Sequence, residues 1–388
     1  MPTILITDIL IYALAAAVIY FAISARRGTG LAASVWGHVR KDRFAMIALA
    51  VLAAYALIAL ADSIRWRSRV ENTDAAKGAL HSAEALSILD RVFTGLRTNT
   101  EKTFSAPLAG KSFAKESMTL ADGRTVRDYP ALKHPGSHLL GTDKVGTDVL
   151  YMALKGVRTG VVIGTGATLL MVPFALLFGV LAGYFGGITD DLIQYVYTTL
   201  ASIPSILLIV AFMLLFGTKG YQGGLVTEDE ISLGVFVFND RLFWLCVIMG
   251  ITSWTDLCRL IRGETLKLRE LEYVQAARAF SVSNAGIIAR HLIPNVLHLV
   301  LITFVLQFSG LVLAEAVLSY IGIGVGPETG SWGNMINTAR LELSREPVVW
   351  WNLLAAFAFM FALVLPANVF ADSVRDSLDP KLRQGRGK

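Results

Sequence analysis

What most constrains this chain is a set of uninterrupted apolar runs, each close to the roughly 20 residues a helix needs to cross about 30 Å of hydrocarbon. Seven are read: Ile4–Ile23, Phe44–Ala61, Val161–Tyr184, Ile193–Phe216, Leu242–Cys258, Val296–Leu318 and Val349–Phe370. Backbone in hydrocarbon must satisfy its own polar groups, so runs of this length fold as helices. Of 388 residues, 54% are apolar and 17% charged, against about 45–50% and about 25% in soluble domains. Cys246 and Cys258 lie about 18 Å apart on one helix by helical rise. They give no disulfide framework and read as small buried hydrophobes. The net charge of +5 reflects loops and does not point to nucleic acid.

Orientation follows from the basic residues of short loops. Arg26, Arg27, Arg40, Lys41 and Arg43 follow the first run. Arg259, Arg262, Lys267, Arg269, Arg278 and Arg290 follow the fifth, and Arg375, Lys381, Arg383, Arg386 and Lys388 end the chain. These segments alternate onto one side, the cytoplasmic one, which puts the N-terminus outside and the C-terminus inside. The first run lacks a basic n-region and reads as an uncleaved anchor.

The expected organisation is an anchor at 1–25, then a cytoplasmic linker and transmembrane helix at 26–61. An extracytoplasmic segment occupies 62–148, a helical core 149–372 with a cytoplasmic loop at 259–295, and a cytoplasmic tail 373–388. Within the outer segment, Leu80, Ala83, Leu86, Leu89, Val92, Phe93 and Leu96 recur at helical spacing and predict an amphipathic helix. Met118–Val126 predicts a hairpin turning at Asp122-Gly123. Catalytic signatures are absent. Ala109-Gly110-Lys111-Ser112 has Ser105 where a phosphate-binding loop needs glycine, and Pro135-Gly136 breaks any helix that would align His134 with His138.

The loop after the fifth run carries the most information. Glu272–Phe280 has helix-forming residues, Ser281, Ser283 and Asn284 have turn and cap chemistry, and Ile287, Ile288 and Leu292 give a second helix an apolar side. Pro294 is expected to end that second helix. On pattern alone the unit reads equally as a lever or as an ordinary amphipathic connector. Inside the spans, Glu315 is an intramembrane carboxylate that suits packing, a gate or solute contact, with packing favoured. Asp256 and Arg259 suit an i,i+3 ion pair. The glycine-rich Gly322–Gly330 stretch with Trp332 is expected to re-enter toward the bundle.

Gln275-Ala276-Ala277, then Ser281, then Ile293-Pro294 resembles the EAA loop of binding-protein-dependent ABC import permeases, with Gln275 in place of Glu and Ser281 in place of Gly. Further segments resemble the C-type permeases of oligopeptide, dipeptide and nickel importers. These are Leu140–Leu150, Ala182–Gly187, Ser319–Val325 through Pro327 to Ser331–Ile336, and Asp372–Arg383. The first run, most of the Asp62–His138 segment and an insert at Gly217–Asp240 fall outside the resemblance.

The resemblance implies an all-α, type I importer bundle with an extra N-terminal transmembrane helix and a small extracytoplasmic insertion. It also implies a non-enzymatic permease subunit of the bacterial inner membrane that passes di- and oligopeptides. Expected partners are a second homologous permease, two cytoplasmic ATPases that bind ATP and Mg, and an extracytoplasmic binding protein; no cofactor is expected in this chain. Glu272, Tyr273, Gln275, Ala276, Ala277, Arg278, Ser281 and Pro294 would couple to the ATPases, and Glu315 and Trp332 would belong to the pathway or gate. An ion-coupled secondary transporter is the alternative class, and nickel or another small solute the alternative cargo.

Overall fold

The computed structural model describes residues 2–26, 30–69, 81–119, 125–216, 232–233, 236–237 and 240–378. Most of the Gly217–Asp240 insert, the Asp122-Gly123 turn and the last ten residues lie outside these. A strand β1 (Pro2–Leu5) leads into α1 (Ile6–Arg26), α2 (Gly30–Val39) and α3 (Arg43–Ser63). Asp42 opens α3 by accepting the Phe44 N–H at 2.9 Å, an N-cap bond. Next come β2 (Arg65–Arg69), β3 (His81–Ser87), α4 (Ile88–Val92), α5 (Thr94–Thr98) and the hairpin β4 (Glu116–Thr119) with β5 (Thr125–Asp128). The core follows as α6 (Val149–Phe185), α7 (Gly187–Ala201), α8 (Ser205–Phe216), β6 (Ser232–Leu233), β7 (Phe236–Val237), α9 (Asp240–Thr252) and α10 (Trp254–Leu268). It ends with α11 (Glu272–Ala279), α12 (Asn284–Ile287), a π-helical turn Ile288–Leu292, α13 (Ile293–Tyr320), α14 (Trp332–Ala339) and α15 (Trp351–Leu378).

α6 is the mast. At 37 residues it is about 55 Å long, well beyond a bilayer, so the third span begins a dozen residues earlier than its apolar run suggested. α1, α3, α9, α10, α13 and α15 all pack on it. Every residue from Gly156 to Thr168 is buried, so this stretch has no lipid-facing side. Small residues make the approach possible. A Cβ on Gly156 would sit 2.8 Å from the Trp332 ring, and one on Gly183 would sit 2.8 Å from the Arg262 carbonyl oxygen.

Among the described residues, five helices are long and apolar enough to span: Arg43–Ser63, Val149–Phe185, Arg241–Leu268, Asn284–Tyr320 and Trp351–Ser377. The expected fourth span is not one straight helix. α7 and α8 meet at 87°, because Pro204 has no N–H to continue the ladder and the turn at Ser202-Ile203 closes α7. α1 contributes a shorter apolar helix, Thr7–Phe21.

Residues 80–96 do not form the expected amphipathic helix. His81–Ser87 pairs with β2, and helix starts only at Ser87, where a capping box with Asp90 sets the boundary. The spacing of three suits a helix and not a strand, and pairing with β2 overrode it. Residue 80 itself is outside the description. The β4–β5 pairing matches the expected hairpin, with Met118 opposite Val126. Three segments far apart in sequence build one five-stranded sheet in the order β3-β2-β1-β7-β6, β1 running antiparallel to β2 and parallel to β7. All three are segments the family resemblance did not cover.

Candidate functional site

The loop between α10 and α13 is fastened on one side and open on the other. Val274, Ile287 and Leu292 are fully buried and seat it on the bundle. Arg269 donates to the Gly183 carbonyl at 3.1 Å, and Tyr184 donates to Asn284 Oδ1 at 2.8 Å. The Arg278 guanidinium lies 4.8 Å over the Tyr184 ring, a cation–π contact that turns it toward the end of α6. Gln275 donates to the Arg269 carbonyl at 3.2 Å, and Asn295 donates to the Tyr273 hydroxyl at 3.1 Å. Glu272, Tyr273, Gln275, Ala276, Arg278 and Ser281 are exposed, Ala277 half-buried. Phe280 is 83% exposed.

The break after α11 explains residue 281. The Ser281 N–H bonds the Arg278 carbonyl at 3.0 Å, and the Val282 N–H bonds the Ala277 carbonyl at 3.1 Å. This 5→2 and 6→1 pair is the Schellman motif, whose turning residue sits in the left-handed region. Ser281 has φ +55°, where a Cβ costs roughly 1–2 kcal/mol. A glycine at this place would remove that cost, whereas Ser281 carries it. Ser283 then caps α12 through the Gly286 N–H at 3.3 Å.

Pro294 does not end the second helix. α12, the π-helical turn and α13 run on as one span, Asn284–Tyr320, with Pro294 in the first turn of α13. Proline lacks the N–H that would bond residue 290, and its ring crowds that carbonyl. The ladder widens there: the Ile293 N–H reaches Ile288, five residues back.

Glu315 and Trp332 lie inside the bundle, 1% exposed each. Glu315 accepts from Ser319 Oγ at 2.7 Å and Ser331 Oγ at 2.6 Å. Ser331 caps α14, and Trp332 Nε1 donates to the Ala153 carbonyl at 2.9 Å. Together they pin α14, which turns back beside α13 and α15, to the mast. Asp256 makes no ion pair with Arg259 among the described residues; Arg259 lies 5.3 Å over the Tyr197 ring instead.

A second polar cluster sits at the opposite end of α6. Arg158 Nε donates to Asp8 Oδ1 at 2.9 Å, and its Nη2 donates to both Asp8 and Thr7 on α1. One turn earlier, Lys155 Nζ is 2.6 Å from Asp62 and 2.7 Å from Asp90. Tyr151 donates to Asp90 at 2.7 Å, and Ser87 donates to Asp62 at 2.8 Å. Burial opposes ionisation of Asp90, but the Lys155 ammonium and the Ser87 and Tyr151 donors outweigh it and hold the carboxyl at about 2. Sequence reasoning missed this cluster because it began the third span at Val161. The available signal was Lys155 and Arg158, three apart at the head of an apolar run. No group of residues suited to hold a metal occurs among the described residues.

The family of binding-protein-dependent transport system inner membrane components matches residues 175–384, which include the loop, the π-turn and the α13–α14 packing. The chain belongs to this family. It is an inner-membrane, multi-pass permease component of an ABC importer. It is 30% identical to the oligopeptide transport system permease protein OppC of Bacillus subtilis over 64% of this chain and 73% of that protein. To the Haemophilus influenzae protein of the same name it is 31% identical, over 64% of this chain and 72% of that one. The dipeptide transport system permease protein DppC of Bacillus subtilis is 28% identical, over 64% of this chain and 70% of that one.

Proposed function

We propose that this permease passes di- and oligopeptides across the inner membrane, with the Glu272–Pro294 unit transmitting the work of partner ATPases to the spans. The observation that carries the coupling role is Phe280, 83% exposed on a turn held by two backbone hydrogen bonds. An exposed phenyl ring on a stiff turn is a ready anchor for a pocket on another protein, and burying it is worth about 1.5–3 kcal/mol. Tyr273, Gln275, Ala276 and Ser281 are exposed on the same unit, and Arg278 holds it to α6. A rigid unit joined to two spans is the kind of two-state element that nucleotide-driven motion shifts.

The substrate class rests on the oligopeptide and dipeptide names of the relatives. The assembly would comprise a second homologous permease, two cytoplasmic ATPases holding ATP and Mg, and an extracytoplasmic binding protein. This chain would contribute no catalysis and no cofactor. Basic residues after α10 support a cytoplasmic loop, with the N-terminus outside and the C-terminus inside. An ion-coupled transporter needs no such ATPase-facing unit, and family membership argues against it.

The test is Phe280→Asp in the full importer. ATPase subunits should be lost from the purified complex and import abolished, while the variant permease still folds, since Phe280 contributes little to the core. Undiminished ATPase recovery, or import driven by an ion gradient without ATP, would overturn the reading.

A further inference from the structure

α7 has three distinct faces. Ile193 and Tyr197 are buried against the bundle. Ile188, Leu192 and Val196 form an exposed apolar face. Asp191, Gln194, Tyr195, Thr198 and Ser202 form a third face, polar and uncovered, along an open groove of about 580 Å³. Their spacing of three, four, seven and eleven residues puts them on one side of the helix.

α7 is the first limb of the bent pair that together meets the length and apolarity of a span. Exposed polar side chains at such depth do not face lipid; they meet water or another protein. The break supports the same conclusion. The first N–H groups of α8 have no partner within their own helix, and irregular backbone at membrane depth is tolerated where it lines a water-filled space or is covered by protein.

α10 repeats the pattern. Asp256, Arg259, Glu264 and Lys267, with Leu260 among them, lie on one side along an open groove of about 460 Å³; Glu264 is half-buried and pairs with Lys267 at 3.0 Å, while Leu257, Cys258 and Ile261 are buried. The two helices are tied together. Arg262 grips Asp190 with two bonds, 2.5 and 2.7 Å, and Arg259 lies over Tyr197. Arginine–carboxylate forks of this kind fix geometry as well as adding energy.

We propose that the polar faces of α7 and α10 line the passage by which solute leaves toward the cytoplasm. The proposal rests on the peptide-permease reading above. Its chemistry suits a short peptide: hydroxyls and an amide on α7 exchange hydrogen bonds with peptide groups, and charges of both signs on α10 meet the ammonium and carboxylate ends. None of these groups demands a particular side chain, which suits a carrier that accepts many sequences.

The experiment uses the whole importer in proteoliposomes, with Cys246→Ala and Cys258→Ala as background because both thiols are buried. Thr198→Cys, Ser202→Cys and Glu264→Cys should react with a charged, water-soluble thiol reagent, while Leu192→Cys and Val196→Cys should not. A saturating tripeptide, delivered by the binding protein with ATP, should slow the first three. Thr198→Val should weaken handling of the tripeptide about fivefold, the worth of one hydrogen bond, with the ATPase subunits still recovered in the purified complex. Polar-face cysteines that react in the separate subunit but are sealed in the assembled importer would overturn the proposal and make the face a seam between permeases. If the labelling contrast holds but the unmodified complex neither imports nor responds to peptide, the peptide reading fails and the passage assignment stands.

Discussion

The two ends of α6 handle polarity in opposite ways. Around Arg158 and Lys155, three acids from α1, α3 and α4 meet three bases, Arg65 of β2 being the third, inside a largely buried cluster, and the hydroxyls of Thr7, Ser87 and Tyr151 join them. Around Ser281, the chain leaves side chains uncovered, places a residue with a Cβ in the left-handed region and exposes a phenyl ring. The first arrangement is closed and self-sufficient, as a joint holding an additional helix to a core must be. The second is incomplete in isolation, as a contact meant for another subunit must be. Charge density alone does not separate them, since both are rich in basic residues; burial and partnering do.

The largest effect expected from breaking this contrast is at Arg158. Arg158→Met removes the guanidinium from its buried ion pair with Asp8, a change worth about 3–5 kcal/mol. The folded fraction recovered from detergent after heating should fall sharply. Adding Asp8→Asn should return part of it, because replacing both members removes the buried ion pair as a whole.

Asp90 comes next. Its folded-state carboxyl sits at about 2 against an ordinary 3.8, so ionisation favours the folded state. That contribution is complete above pH 4 and is lost as pH falls toward 2. Asp90→Asn should cost about 2 kcal/mol at pH 7. Thermal unfolding of the wild type should therefore fall toward that of the variant between pH 4 and 2, and the difference should stay constant from pH 5 to 8.

At the other end the effects on stability are smaller. Ser281→Gly relieves the left-handed cost and should stabilise the loop by about 1 kcal/mol, seen as slower amide exchange in α11. Ser281→Val should do the reverse. Phe280→Ala should leave the stability of the isolated permease within about 0.5 kcal/mol of wild type while weakening recovery of the ATPase subunits. A strong loss of stability there would mean that the ring belongs to the core, and the contrast between the two ends would fail.

Much of the helical framework was legible because span length is dictated by the bilayer. The α11 loop was legible because cap and turn residues act over three or four positions. The α7–α8 bend was signalled by Pro204, but an apolar run continuous through it read as one helix. The sheet was not legible: β1, β2–β3 and β6–β7 are short and come from three distant segments, so no local pattern announces their pairing. Residues 80–96 illustrate the same limit, since Leu86, Leu89 and Val92 satisfy a helical period whether or not a strand partner is available.

Apolar length, basic loops and the Gln275–Pro294 pattern determined by themselves that this chain crosses a membrane repeatedly and carries a helical unit between two spans, because those properties depend on solvent and on neighbours within a turn. Only the tertiary structure decided that Glu315 and Trp332 are internal fastenings, that Arg158 binds the first helix, and that one face of α7 stays polar and uncovered. Those outcomes depend on which distant surface a side chain meets, and nothing local in the chain specifies that meeting.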